Sequence, residues 1–227
     1  MFTYELKSFL TELKSNNNKD WFHANKSVYE KVMKNPSREF VEFMRIRFSS
    51  LGLPYIADVK KSLFRINRDI RFSNNKEPYK TNLGIYFPYT QSQTLAKASY
   101  TVGIYMHIDT DQCFIGGGIH MPEPPALKAI RTRINDEWQD LEKIFTKPQL
   151  KKEFSSILEG ESLKTMPRGY SADHPKANWL KMKEYLAMSD MSEKDIYSEN
   201  IAMILEKKAI AIVPFLDYLL EAIEYKE

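Results

Sequence analysis

The spacing of apolar residues changes period twice along this chain, and that double switch limits the fold more than any other feature. Leu6, Phe9, Leu10 and Leu13 recur at helical spacing, and Asn16-Asn17-Asn18 then interrupts them. Asp20 reads as the cap of a second helix carrying Trp21, Asn25, Tyr29 and Val32 on one side. Asn35-Pro36 reads as a third start, burying Phe40, Phe48 and Leu51, with a stop at Leu51-Gly52-Leu53-Pro54. The period then falls to two. Leu83, Ile85 and Phe87 make a short strand, and Tyr100, Val102, Ile104, Met106 and Ile108 a longer one. The opposite face of the longer strand carries Thr101, Gly103, Tyr105, His107 and Asp109. A turn at Asp109-Thr110-Asp111 leads into Cys113-Phe114-Ile115, and Gly116-Gly117-Gly118 ends that hairpin.

Helical spacing returns with Leu127, Ile130, Ile134, Trp138, Leu141 and Phe145. Pro148 to Leu158 reads as a shorter helix closed by Gly160, followed by a loop from Glu161 to Pro175. Tyr185 to Met188 reads as one more short strand, and Ser192 with Asp195 has capping-box-like spacing. Ile201, Leu205, Ile212, Phe215, Leu219 and Ile223 form a last helix, kinked or broken near Pro214. The order predicts an α+β fold: one domain over residues 1–227, its antiparallel sheet drawn mainly from residues 62–118 and packed by helices from both termini.

Composition narrows the partners. The chain has 227 residues, 43% of them hydrophobic and 13% aromatic, enough for one well-buried core. Its 33 basic and 30 acidic residues leave a net charge of +3, too mild to demand nucleic acid. Cys113 stands alone, which excludes an internal disulfide and a cysteine-based zinc site. The segment MFTYELKSFL has no secretory pattern, and the apolar run Ala209–Leu216 is too short to span a bilayer and contains Pro214. A cytoplasmic setting without a membrane partner is expected. No pattern sets the oligomeric state.

Chemistry concentrates between Arg65 and Lys80, RINRDIRFSNNKEPYK. Read as a strand, this stretch puts Arg65, Asn67, Asp69 and Arg71 on one face and Phe64, Ile66, Ile70 and Phe72 on the other, with Arg68 breaking the alternation. Lys76, Tyr79 and Lys80 follow a turn-like Ser73-Asn74-Asn75. Guanidinium groups grip phosphate or carboxylate through paired, charge-assisted hydrogen bonds. The stretch is therefore read as an anion site made by Arg65, Arg68, Arg71 and Lys76, with Asp69 orienting the arginines, Tyr79 donating a hydrogen bond and Lys80 adding charge. An internal Arg–Asp network is the competing reading, and weak, sequence-independent nucleic-acid binding is a third.

The motif R-x-x-R-D-x-R-F followed by N-K-x-P-Y-K resembles that of an uncharacterised, mostly bacterial family of about this length. It occupies Arg65, Arg68, Asp69, Arg71, Phe72, Asn75, Lys76, Pro78, Tyr79 and Lys80. Further similar pieces are Asn17-Asn18 with Trp21-Phe22, Gly116–Gly118 with Met121-Pro122, and Pro167-Arg168-Gly169 with His174-Pro175 and Trp179-Leu180. The resemblance covers nearly the whole chain and implies no particular activity.

Other candidates are weaker. The glycine run lacks the ending of a P-loop and the spacing of a dinucleotide fingerprint, so close packing is preferred to an anion nest. His107 and Asp109 share a strand face, yet no pair among the four histidines has helical metal spacing; no metal and no cofactor are expected. His174 in its long loop, and Asp69, are the acid/base candidates, with helix capping the competing role for His174. Arg168 joins the ligand set as an outlying cation. The expected partner is a phosphate-bearing or nucleotide-like small anion. No residue pattern decides whether a reaction follows.

Overall fold

A computed structural model describes residues 1–71, 74–89 and 102–224. Phe72, Ser73 and the Tyr100-Thr101 start of the long strand lie outside these residues. The fold is α+β, with a five-stranded antiparallel sheet in the order β1-β2-β3-β5-β4. Its strands are β1 (Leu83–Pro88), β2 (Gly103–Ile108), β3 (Cys113–Ile119), β4 (Ser156–Glu159) and β5 (Tyr185–Asp190). The described residues fall into two compact units. One comprises residues 1–71, 74–87, 105–115 and 190–206, the other residues 88–89, 102–104, 116–189 and 207–224.

The first unit is led by α1 (Tyr4–Ser15), whose Leu6, Phe9, Leu10 and Leu13 are all buried. Asn18, not Asp20, caps α2 (Lys19–Ala24), accepting a hydrogen bond from Trp21 N at 2.9 Å. The chain then continues through α3 (Lys26–Tyr29) and a π-helical turn (Glu30–Lys34) directly into α4 (Asn35–Ser50). No new cap forms at Asn35, whose backbone is already helical. Pro36 has no N–H for the α ladder, and a widened turn before it absorbs the missing bond. α4 ends as the sequence predicts: Gly52 has φ +63°, Gly52 N donates to Ser49 O and Leu53 N to Phe48 O. Leu51, at the C-cap, is exposed. Beyond the turn comes α5 (Val59–Ser62), capped by Asp58, whose carboxylate accepts from Lys60 N and Lys61 N. Phe48 packs edge-on against Phe87 of β1 at 5.3 Å, seating an N-terminal helix on the sheet.

In the second unit α6 (Pro124–Thr146) buries Ala126, Ile130, Ile134, Leu141 and Phe145. The helix expected over 148–158 is shorter, α7 (Pro148–Glu153), and the residues after it become β4. β4 pairs antiparallel with β5, Ser156 opposite Met188 and Ile157 opposite Ala187. α8 (Ala177–Lys181) follows the loop, and β5 matches the expected strand. In the first unit, α9 (Glu193–Ile196) is capped by Ser192, which accepts from Asp195 N. α10 (Ile201–Glu224) runs through Pro214 without a break.

Gly116, Gly117 and Gly118 lie inside β3 rather than ending it. A Cβ on Gly116 would stand 2.7 Å from Met188 Sδ, and one on Gly117 would strike Ile212 of α10. At Gly118 it would overlap the carbonyl oxygen of Tyr185, and φ is +134° there. The run is thus a packing device that lets β5 and α10 approach the strand.

Gly118→Ala should therefore destabilise the protein by about 2–4 kcal/mol, combining backbone strain with a clash against main chain. Gly52→Ala, where nothing lies within 4 Å, carries the strain alone and should cost about 1 kcal/mol. Urea unfolding midpoints read both, and equal losses would show that packing at Gly118 is not the constraint.

Candidate functional site

The arginine stretch does not extend the sheet. Residues 64–71 and 74–82 form the two arms of a narrow hairpin, held by an isolated bridge, Asn67 opposite Tyr79. Lys80 N donates to Ile66 O at 2.8 Å and Arg68 N to Pro78 O at 2.9 Å. A second isolated bridge, Leu63 opposite Ile85, joins its base to β1.

What holds this hairpin is a side chain from the N-terminal helices. Asn17 Oδ1 accepts from Tyr79 N at 3.1 Å, and Asn17 Nδ2 donates to Tyr79 O at 3.0 Å. One amide thus imitates a neighbouring strand. The Tyr79 ring, only 5% exposed, stacks on Phe22 of α2 with centroids 4.0 Å apart. Tyr79 is core, and its work is anchoring.

The bridge register sets which side chains share a face. Pairing Ile66 with Lys80 and Arg68 with Pro78 places Phe64, Ile66, Arg68, Lys80 and Asn82 together. Arg68, which broke the expected alternation, belongs to this face by register. Phe64 and Ile70, expected to be buried, are 52% and 37% exposed. A hairpin standing off the sheet has no layer to cover them.

Charges on this hairpin divide into satisfied and crowded. Arg71 makes a two-point pair with Asp69, Nε to Oδ1 at 3.0 Å and Nη2 to Oδ2 at 2.7 Å. That pairing holds the Asp69 carboxyl below its usual range. Lys76 Nζ donates to Ile70 O at 2.9 Å. Arg65 reaches Asp69 only at 4.0 Å, and Arg68 reaches Glu77 only at 3.7 Å. Arg68 is 26% exposed along its side chain, and its Nε is buried without a hydrogen-bond partner among the described residues. Burial, and then the positive charges of Arg65 and Arg68, push the Lys80 ammonium below its usual pKa. Lys80 Nζ lies over the Phe64 ring at 5.1 Å.

β2 continues the same surface. The Phe64 ring meets Tyr105 edge-on at 5.9 Å, and Gly84 makes room, since a Cβ there would stand 2.6 Å from Tyr105 Oη. Tyr105 Oη donates to His107 Nδ1 at 3.1 Å and Asn82 Nδ2 to the same nitrogen at 3.4 Å. An amide nitrogen can only donate, so Nδ1 accepts and the neutral ring carries its proton on Nε2. Nε2 faces Asp109 Oδ2 at 3.8 Å. The ring also stacks on Phe114 of β3 at 4.8 Å. Burial lowers the His107 pKa, with Asp109 opposing, and pushes the Tyr105 hydroxyl up to about 12. The face thus carries a neutral imidazole backed by a carboxylate beside two cations, Arg68 and Lys80, with the charge of Arg65 felt from the hairpin's other face. Such a set can bind an anion and move a proton. Among the described residues, no three His, Cys, Asp or Glu side chains gather in a way that could hold a metal ion.

The remaining expected site residues lie in the second unit. Arg168 lines a cavity with Lys128 and Arg131. Both ring nitrogens of His174 are engaged by main chain: Nδ1 accepts from Lys176 N at 3.0 Å and Nε2 donates to Asn135 O at 3.1 Å. The ring organises the start of α8. Lys183 pairs with Glu161 at 2.8 Å. Sequence reasoning missed Asn17, read as part of a helix-breaking run, and Asn82, which no local pattern distinguishes.

Fold and site together define an α+β protein with a cationic hairpin laid beside a histidine-bearing strand. The chain belongs to the family described as Conserved hypothetical protein (DUF2461), which matches residues 5–218. No curated protein and no solved structure matches it. Among the described residues no helix is long and apolar enough to cross a membrane.

Two outcomes are expected here. Asn17→Ala removes both hydrogen bonds to Tyr79 and should cost about 1–3 kcal/mol in urea unfolding; a loss below a few tenths would mean the stacking on Phe22 suffices. His107, easier to deprotonate folded than unfolded, adds stability that is whole above its ordinary pKa of 6.5 and declines as pH falls below it. Between about pH 7 and pH 5, His107→Gln should therefore lose less stability than wild type. Identical slopes would assign the acid sensitivity to other groups.

Proposed function

We propose that the protein binds a phosphate-bearing, nucleotide-like small anion at this face, in a reducing, cytoplasmic setting. Arg68 and Lys80 receive the phosphate, Arg65 adds positive charge beside them, Asp69 and Arg71 brace the hairpin, and Lys76 ties one arm to the other. The observation that carries the reading is Arg68, whose buried Nε has no acceptor among the described residues while its neighbours are also cations. An unmet buried donor costs about 1–3 kcal/mol, and a phosphate that draws the guanidinium outward would satisfy it while relieving the like-charge crowding. The exposed Phe64 ring beside Lys80 supports a ligand that carries a base, since an aromatic ring offers a stacking surface.

If the bound molecule reacts, His107 is the group that moves the proton. Its Nδ1 takes a proton through Tyr105 Oη, and Asp109 stabilises the imidazolium that results.

Thermal unfolding with phosphate, pyrophosphate, ADP and a short single-stranded oligonucleotide tests the proposal. A ligand at one hundred times its dissociation constant stabilises by about 2.7 kcal/mol. ADP or pyrophosphate should raise the wild-type midpoint, and Arg68→Ala should weaken that binding at least about tenfold. A shift confined to the oligonucleotide would make this a single-strand binding face. No shift with any anion, together with a lower ligand-free midpoint for Arg68→Ala, would leave the hairpin as scaffolding.

A further inference from the structure

The second unit contains a cavity of about 600 Å³ between α6 and the loop around Arg168. Lys128, Arg131, Thr132 and Asn135 face it from α6, spaced i, i+3, i+4 and i+7, which is one stripe of a helix. This stripe lies beside the apolar one that α6 buries, so the helix has a core face and a polar cavity face. From the loop side come Pro167, Arg168, Gly169 and Tyr170, with Pro122 and Pro124 at the start of α6. Two pieces that carry the family resemblance, Met121-Pro122 and Pro167-Arg168-Gly169, thus both contribute to its wall.

The charges are one-sided. Three cations line the cavity, and none of its described lining residues is acidic. Neither Lys128 nor Arg168 has an ion-pair partner among the described residues. Arg131 donates from Nη2 to Met182 O at 2.8 Å, which orients the guanidinium, yet its Nε is buried with no acceptor among the described residues. Tyr170 Oη and Thr132 Oγ1 lie 3.4 Å apart and add neutral hydrogen-bonding groups. The prolines and Leu127 supply apolar wall.

We infer that this cavity is a second anion site, which takes an organic phosphomonoester: the phosphate lies among Lys128, Arg131 and Arg168, and an apolar substituent lies against Pro122, Leu127 and Pro167. A dianionic headgroup matches three cations better than a single carboxylate does, and the cavity is larger than a bare phosphate needs. Nothing in this assignment uses a residue of the Arg68 hairpin.

Calorimetric titration of the full chain with phenyl phosphate, and with inorganic phosphate for comparison, tests it in an Arg68→Ala background, in which the first site is weakened at least about tenfold. One phenyl phosphate should bind per chain, at least about tenfold more tightly than inorganic phosphate because the apolar wall is then used. Adding Arg168→Ala should weaken binding at least about tenfold, adding Lys128→Ala should weaken it similarly, and Arg168→Lys should recover only part of the loss. Unfolding midpoints of the ligand-free variants should stay with the background, since both side chains are exposed. Absence of binding in the Arg68→Ala background, or binding indifferent to Arg168 and Lys128, overturns the inference. The hairpin proposal fails separately, when Arg68→Ala binds as many anions as wild type.

Discussion

The contact on which the candidate site depends is the pairing of one side-chain amide, Asn17, with the backbone of Tyr79. A two-stranded hairpin has little stability of its own in water, so a charged one needs an external support. Here the support is double. Asn17 satisfies both main-chain groups of Tyr79, and Phe22 covers its ring. Asn18 caps the helix that carries Phe22, so consecutive asparagines fix the hairpin and the platform beneath it. Everything that follows, from the register of Arg68 and Lys80 to their approach to β2, is inherited from that anchor.

Like-charge crowding is tolerated at the hairpin because most of its cost is paid in solvent. Arg65 and Arg71 are largely exposed, and the Asp69–Arg71 pair stiffens the turn more than it stabilises the fold. Arg68 is different: it is mostly covered, and its best carboxylate is 3.7 Å away. The cavity lined by α6 shows the same pattern, with a half-buried arginine oriented by a carbonyl and exposed cations around it. In each case, under the proposed readings, an arginine held close by its surroundings would lower the ordering cost of binding an anion.

His107 illustrates how a sheet face becomes chemically useful. On a solvated strand an imidazole would titrate near its ordinary value, but burial, to which the stacked Phe114 ring contributes, lowers the His107 pKa against the opposing Asp109 carboxylate. Gly84 matters for the same reason, because any side chain there would displace Tyr105 and Phe64. The Lys80–Phe64–Tyr105–His107 row is therefore a packed surface, fixed by contacts to both neighbouring strands.

Period alone determined the helix–sheet–helix order, the stop at Gly52, the strand that carries His107 and Asp109 on one face, and the concentration of arginines after Phe64. These are local properties, set by side-chain direction and backbone preference within a few residues. Tertiary structure decided the rest. Asn35-Pro36 looked like a helix start, yet the preceding helix ran into it through a π turn. Residues 156–158 looked helical and became part of a strand paired with β5. The arginine stretch alternated like a strand, yet no sheet covers it, so Phe64 is exposed and Arg68 shares its face with Lys80. The stripe of Lys128, Arg131, Thr132 and Asn135 was present in the sequence at helical spacing, but nothing local told it from a solvated helix face. Only the loop that brings Arg168 over it gives those charges a common point, because long-range approach, unlike periodicity, is not written in neighbouring residues.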